Sequence, residues 1–188
     1  CRLSTLGHQD RPKGHCMVTL EQLSEFKLGL ICLAGPMLNH VSAVGLSALK
    51  TIFGPSAIFV EVNNHLTRHS LSQKAILQCC AEVLSIPTVA TNSPHYAQAG
   101  DKPLLDILTC IRHGTSLDRA GKTLFPNAER RLKRPQKMSV LFRDNPQAIA
   151  RTIEIAERCQ FSLNELSYSF PSFPTGSGQS QDSLLREL

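Results

Sequence analysis

Tryptophan is absent from this sequence of 188 residues, and it also lacks long apolar runs. No window reaches the roughly 18 uninterrupted apolar residues of a membrane-spanning helix. The N-terminus shows no basic and apolar pattern of a signal peptide. We therefore expect a cytoplasmic protein that does not associate with membranes. Hydrophobic residues still make up 41% of the chain, which is typical of a globular domain.

The cysteines lack the regular spacing of a disulfide framework. Seven are present, an odd number, which favours free thiols in a reducing compartment. Residues 1–18 include His8, His15 and Cys16 without the paired spacing of a zinc site, and we expect a loop there. The chain begins with Cys1 and not with Met, so we expect it to be part of a longer protein.

Acidic residues are outnumbered by basic ones, 15 to 20, and the formal net charge is +5. One run contains five of the basic side chains: Arg130, Arg131, Lys133, Arg134 and Lys137. The run is either a solvated surface or a surface that contacts DNA phosphates or an acidic partner. It contains no aromatic residue, which argues against stacking on bases.

Three short apolar runs predict strands, at Leu28–Ala34, Ala57–Val62 and Pro87–Thr91. They lack polar alternation, which is typical of parallel strands covered on both faces and joined by right-handed crossovers. The sequence therefore predicts part of an α/β layer or barrel.

Helices are predicted between and after these strands from capping residues and apolar spacing. A capping box at Thr19 and Gln22 begins the first, and a box at Ser70 and Gln73 begins another. Further helices follow Asn39, run from Pro103 to Gly114, and begin at Asn145-Pro146. Their predicted buried faces are Val41, Val44, Ala48, Leu49 and Ile52; Ala75, Ile76, Cys79, Cys80 and Val83; Leu104, Ile107, Leu108 and Ile111; and Ile149, Ile153 and Ala156.

Polar residues follow the third strand in the order Asn92, Ser93, Pro94 and His95. The carboxyl ends of parallel strands are where α/β folds place their sites. Either a metal-dependent phosphoesterase-like site or a scaffold without chemistry would fit this position. His65 follows the second strand and is expected in a loop, whereas Glu61 lies within that strand and is expected in a structural ion pair.

Four ordered motifs carry a family resemblance: Val89–Tyr96, Asp106–Asp118, Phe142–Cys159 and Phe170–Gly176. Together they resemble the bacterial C-family DNA polymerases over essentially the whole chain. Leu124–Lys133 and Cys1–Thr5 are more similar to the error-prone, damage-induced paralogue than to the replicative alpha subunit of polymerase III.

The resemblance implies an α/β fold: part of a distorted (β/α) barrel with parallel strands, the polymerase-and-histidinol-phosphatase (PHP) domain. Residues 1–116 would be its later portion, and residues 117–188 a helical and Pro-rich linker leading into the palm. The parent chain would be a DNA-directed DNA polymerase acting in replication, repair synthesis and damage-induced mutagenesis. It would use DNA, dNTPs and magnesium, with a sliding clamp or other mutagenesis or replication proteins as partners. The palm carboxylates would lie after Leu188, so this segment would be inactive by itself.

The resemblance also implies a metal site, with zinc or manganese held by a ring of His and carboxylate ligands. The family's Asn-Asp-x-His pattern aligns with residues 92–95, where Ser93 replaces the carboxylate. Pro36 stands where metal-binding members have a Cys, which leaves His95 as the one candidate ligand. This favours a scaffold with a degraded metal site. The alternative is a metal-dependent phosphoesterase or 3′-5′ exonuclease, which an upstream His-x-His motif would support.

Overall fold

The computed structural model describes residues 2–36, 42–167, 174–175 and 178–187. The α-helices are α1 (Arg2–His8), α2 (Leu20–Glu25), α3 (Ala43–Phe53), α4 (Arg68–Val83), α5 (Lys102–His113), α6 (Leu117–Ala120), α7 (Pro135–Leu141), α8 (Pro146–Arg158) and α9 (Gln181–Glu187). The strands are β1 (Cys32–Ala34), β2 (Ile58–Asn63) and β3 (Thr88–Thr91). Short 3₁₀ turns span Ala99–Asp101, Gly121–Thr123 and Leu163–Glu165.

The three strands form one parallel sheet in the order β1-β2-β3. Cys32 pairs with Ile58, and Val60 pairs with Thr88. Helices α3 and α4 connect consecutive strands, as parallel pairing requires. The predicted α/β class with parallel strands is therefore confirmed, and the described sheet is open, as expected for part of a barrel.

The main core lies on one face of this sheet. Ile58, Val60 and Val62 occupy every second position of β2, and they point to the same face because successive side chains of a strand point to opposite faces. All three are fully buried. Leu46 of α3 and Leu77 of α4 pack in the same cluster. The segment after residue 134 completes it with residues of α7, α8 and the turn between them: Met138, Leu141, Phe142, Ala148 and Ile149.

The first predicted strand is wrong in its length. β1 covers only the last three residues of the predicted range Leu28–Ala34. Gly29 has a positive φ of 75°, and the amide of Leu30 bonds to the carbonyl of Lys27 in a turn. The turn leaves Leu28 87% exposed, because its apolar side chain belongs to a loop and not to the sheet.

The predicted start and buried face of α4 are also wrong. Thr67 is the N-cap, and it exchanges hydrogen bonds with Ser70 instead of leaving that role to Ser70 and Gln73. The buried positions are Ser70, Lys74, Leu77 and Ala81, whereas the predicted Ala75, Ile76, Cys79 and Val83 are exposed. The buried side of the helix includes Lys74, and a prediction from apolar periodicity assigns a lysine to the solvent-facing side.

Three other helical predictions need correction. Residues 2–8 form α1 and not a loop, and the amide of Met17 bonds back to the carbonyl of Gly7. In α3 and α8, Val44, Ile153 and Ala156 are exposed, because Leu46 and Ala148 occupy the buried positions. Val41 lies outside the described residues.

Helix α5 has the predicted bounds, with Gly114 as its left-handed cap. The capping box of α2 at Thr19 and Gln22 is confirmed as well. The four apolar side chains of α5 that are predicted to be buried are nevertheless 46–71% exposed. The amphipathic spacing therefore predicts the helix correctly, but the described residues do not cover its apolar face.

The chain divides into two compact units, one ending at Ile155 and one beginning at Ala156. The second unit contains the 3₁₀ turn at Leu163–Glu165 and helix α9. Most of the motif Phe170–Gly176 lies outside the described residues. The division of the longer protein at residue 116 stays a prediction. None of the described helices has the length and apolar character needed to cross a membrane.

Candidate functional site

The candidate site lies where β2 and β3 end. Asn92, directly after β3, is buried, and its side-chain amide donates to the carbonyls of Glu129 (3.0 Å) and Arg131 (2.6 Å). Ser93 then turns the backbone into the left-handed region with φ 42°. We call this edge of the sheet, with the residues packed on it, the rim.

His65 follows β2 and is buried in the rim. Its Nε2 lies 2.9 Å from the carbonyl oxygen of Asn92, and because a carbonyl can only accept, Nε2 carries the proton. Burial lowers the pKa of His65 despite this hydrogen bond, and the nearby charges of Arg130 and Lys133 lower it further. The predicted loop position is confirmed, but the side chain has a structural partner.

Residues 127–133 dock onto the rim, and we call them the docked segment. The amide of His95 bonds to the carbonyl of Arg130 (2.8 Å), and the amide of Leu132 bonds to the carbonyl of Tyr96 (3.1 Å). Asn127 adds a side-chain bond to the carbonyl of His65 (2.7 Å). The docked segment therefore contacts the residues that follow both β2 and β3.

Lys133 is buried at the centre of these contacts. Its Nζ donates to Oδ1 of Asn92 at 2.7 Å and to the backbone carbonyl of Glu129. Its side chain is 0% exposed, and Oε2 of Glu129 lies 3.2 Å from the ammonium. Burial lowers the pKa of Lys133, whereas the contacts with Glu129 oppose that shift.

His95, the one predicted metal ligand, is exposed, with an aromatic neighbour, Phe125, and a cationic neighbour, Arg130. Its ring is tilted by 52° against Phe125 at 5.1 Å between centroids, and the guanidinium carbon of Arg130 lies 4.3 Å from the same Phe125 ring. Desolvation, and then the positive charge of Arg130, lower the pKa of His95. A neutral imidazole suits a metal, but a neighbouring guanidinium repels one.

The residues at the rim do not fit a zinc or manganese ion of the PHP type. Pro36 lines a cavity of about 20 Å³ together with His65, Lys74 and Arg130, and that volume holds about one water molecule. Two cations thus border the space where metal ligands would be needed. Within residues 2–36, 42–167, 174–175 and 178–187, no three His, Cys, Asp or Glu side chains are grouped as metal ligands would be.

The predicted nucleic-acid-binding residues divide into two sets. Lys133 is enclosed, and Arg130 is half-buried against Phe125, so both serve the packing of the rim. Arg134 and Lys137 are exposed at the start of α7, and Arg131 is half-buried beside them in sequence. This second set is the part of the basic run with access to a large ligand.

Glu61 lies on the sheet face opposite the main core. It accepts a 2.5 Å hydrogen bond from the hydroxyl of Thr91, which in turn accepts one from Asn63 at 2.8 Å. A Cβ on Gly35 would lie 2.1 Å from Oε2 of Glu61, so the backbone of that glycine lies against the carboxylate. The expected ion pair is wrong for the described residues, because hydroxyl and amide partners satisfy the carboxylate instead.

Comparison with known proteins gives a consistent result. The chain is 38% identical over 174 residues to an error-prone DNA polymerase of Ruegeria pomeroyi, which covers 90% of this chain and 15% of that protein. Error-prone DNA polymerase 2 of Rhizobium meliloti is 36% identical over 90% of this chain and 16% of its own length. A match at 31% identity to the error-prone DNA polymerase of Rhodopseudomonas palustris covers all of this chain and 17% of that protein.

The chain is homologous to a segment of the bacterial error-prone DNA polymerases. The resemblance based on the four motifs is thereby confirmed, including its preference for the error-prone type. The chain spans about one sixth of the length of these curated relatives, 15–17%. No family model matches the chain.

Sequence reasoning missed the residues that organise the rim. No predicted helix or strand contains Asn127 or Glu129, and the sequence groups Lys133 with the four other cations of the basic run. The local signal that was available is a turn in which the amide of Glu129 bonds to Oδ1 of Asn127 (3.1 Å). The long-range bonds from Asn127 and Lys133 to the strand ends join residues about 40 to 60 positions apart, which periodicity does not reach.

Proposed function

We propose that this chain is the later part of the PHP-type domain of an error-prone DNA polymerase, with the linker toward the palm, and that it acts as a scaffold. The supporting observation is that error-prone DNA polymerases match 90–100% of the chain. In this proposal residues 1–116 belong to the PHP-type domain and residues 117–188 to the linker. The scaffold role rests on the rim, where cations and structural hydrogen bonds fill the position of a metal centre.

The full-length protein in this proposal is a cytoplasmic DNA-directed DNA polymerase acting in replication, repair synthesis and damage-induced mutagenesis. Its substrates are DNA and dNTPs, and a sliding clamp or other mutagenesis proteins are its partners. Its divalent metals, which we propose to be magnesium, are held by carboxylates outside this segment and stabilise the charge of the transferred phosphoryl group.

The exposed basic residues Arg131, Arg134 and Lys137 are proposed to contact DNA phosphates. Their partial or full exposure supports this role, and Arg134 and Lys137 lie one turn apart at the start of α7. Such contacts position DNA without reading its sequence. Lys133 is left out of the proposed surface, because its ammonium is enclosed by oxygen atoms.

The scaffold role is tested with His95→Ala in the full-length protein. We expect primer extension to stay within roughly twofold of the unmodified protein, because no reacting group is removed. The matched control is His113→Ala, which changes an exposed histidine at the end of α5. A 3′-5′ exonuclease activity that disappears in His95→Ala and persists in His113→Ala would establish the exonuclease alternative.

The DNA-contact role is tested with Arg134→Ala and Lys137→Ala, measured by DNA affinity across a salt series. Each change should weaken binding about equally for unrelated sequences and reduce the salt slope by roughly one. Lys122→Ala, at another exposed lysine, serves as the control and should leave the slope unchanged. Unaltered slopes for both test variants would contradict a phosphate contact here.

A further inference from the structure

The surroundings of the Lys133 ammonium have the composition of a cation site. Three oxygen atoms lie around Nζ: Oδ1 of Asn92 at 2.7 Å, the backbone carbonyl oxygen of Glu129, and Oε2 of Glu129 at 3.2 Å. The ammonium has N–H donors and no acceptor; it donates to Oδ1 of Asn92 and to the carbonyl of Glu129, and Oε2 of Glu129 is its ion-pair partner. Amide, carbonyl and carboxylate oxygens are also the donors that hard metal cations prefer.

The charge of Lys133 is needed where it lies. Oε2 of Glu129 is buried and has no hydrogen-bond partner within the described residues, so the neighbouring ammonium is what balances its negative charge. The Glu129 side chain is only 19% exposed, which limits help from water. An unpaired charge at such a position is strongly unfavourable.

The oxygens come from two parts of the chain that have to be held together. Asn92 belongs to the end of β3, whereas Glu129 belongs to the docked segment. Asn92 also donates from its amide nitrogen to the carbonyl of Glu129 that Lys133 contacts. Removing the ammonium would leave two acceptors, Oδ1 of Asn92 and Oε2 of Glu129, without the cation that lies between them.

We propose that the Lys133 ammonium is the resident cation of the rim and fastens the docked segment to the end of β3. It does by one covalently attached charge what a bound metal ion would do at the same edge in a PHP-type fold. The rim is therefore independent of metal, and removal of Lys133 opens an oxygen-lined site that accepts a small ammonium ion. This inference concerns the rim alone and does not depend on the proposed polymerase role.

The experiment measures amide hydrogen exchange in the full-length protein, followed in the peptide that contains Leu132, whose amide bonds across the junction to Tyr96. In Lys133→Met we expect exchange to accelerate by at least about tenfold, because the fastening is lost. Lys137→Met, four positions along the same run, should leave that rate unchanged. A peptide from β2 reports whether each variant is folded.

Two further arms separate a cation from mere packing. In Lys133→Ala, added n-propylammonium should restore protection of Leu132, whereas n-propanol at the same concentration should not. In the unmodified protein, a metal chelator should leave the exchange rate of Leu132 unchanged, a measurement that needs no variant to fold.

Three outcomes would overturn the proposal. They are equal exchange in Lys133→Met and Lys137→Met, restoration by n-propanol as effective as by n-propylammonium, and accelerated exchange of Leu132 when the unmodified protein is treated with the chelator. The last outcome would show that a metal ion holds the rim. None of these measurements uses DNA or polymerase activity, so their failure is distinct from failure of the proposed function.

Discussion

The ion pair between Lys74 and Asp144 provides a quantitative test of how the later part of the chain is attached to the sheet. Lys74 lies in α4 with 6% of its surface exposed, and its Nζ is 2.7 Å and 2.9 Å from the two carboxylate oxygens of Asp144. The same ammonium lies 4.8 Å from the centroid of the buried Phe142 ring. We predict that Asp144→Asn destabilises the chain by about 1–2 kcal/mol.

The magnitude follows from the unequal exposure of the two partners. Breaking a fully buried ion pair costs about 3–5 kcal/mol, because one charge is left without a partner. Here the Asp144 side chain is 55% exposed, so water screens the pair and its loss costs less. Lys74→Met removes the buried charge as well as the pair, and the double variant should therefore be less destabilised than the sum of the two single variants.

The assay is urea denaturation of the four proteins of this double-mutant cycle, with Lys122→Met as an exposed-lysine control. We expect a coupling energy of about 1 kcal/mol between Lys74 and Asp144.

The pH dependence of the stability adds a second check. Desolvation raises the pKa of Asp144, but the hydrogen bond from Lys74 and the nearby positive charges outweigh it, and the net pKa is lowered. The stability from the pair is therefore present above about pH 4 and declines as the pH falls through the lowered pKa. Additive single variants together with no loss of stability in acid would refute this reasoning.

Three more predictions concern single positions. Burial lowers the pKa of His65 below its ordinary 6.5, so the protein should lose stability as the pH falls below that value, and His65→Gln should flatten this decline in acid titrations followed by circular dichroism. Phe142→Ala should cost about 3–5 kcal/mol in urea denaturation, because the ring is fully buried, whereas Ile153→Ala at an exposed position should cost less than about 1 kcal/mol; equal losses would contradict the assigned core. Gly35→Ala should lower the thermal midpoint, since the new Cβ would lie 2.7 Å from a Cβ of the neighbouring strand, whereas Gly45→Ala, with its nearest contact at 3.5 Å, should raise or preserve it.

The sequence predicts the parallel sheet well because its strands are short apolar runs that need no distant information. Ala57–Val62 and Pro87–Thr91 match β2 and β3 to within one residue at each end. The failure at Leu28 has a local cause, since Gly29 turns the chain before the strand begins. Apolar composition measures the tendency to be buried, and it does not register a positive φ in the middle of the run.

Buried charge explains why the predicted helix face of α4 was wrong. Lys74 is counted as a solvent-facing residue in any apolar periodicity, which moves the predicted face toward Ile76 and Val83. In the structure its partners are Asp144 and Phe142, about 70 residues later in the chain. A buried lysine needs a partner for its charge, and for Lys74 that partner lies about 70 residues away, where sequence spacing carries no information about it.

The strand ends predict where the candidate site lies, and the residue types there suggest His95 and a basic run as its chemistry. The rim is instead organised by Asn92, Lys133 and Glu129, whose mutual hydrogen bonds and ion pair leave little space for another cation. Residue types alone could not distinguish Lys133 from Lys137, because both belong to the same basic run. Only the fold shows that one faces the rim and the other faces solvent.

Polar bonds in both directions join the sheet to the later part of the chain. Asn64 donates to the carbonyl of Leu141 (3.2 Å), and Arg151 donates to the carbonyl of Thr88 (3.0 Å). Lys133 and Lys74 add charged contacts at two further points. On one side, these bonds involve residues in or directly after β2 and β3, and Lys74 of α4. On the other side, they involve residues between 129 and 151. This later stretch is therefore attached to the sheet and α4 at four separate places. A linker that only spans a distance needs no such attachments. These bonds therefore favour a rigid connection from the sheet to at least Arg151.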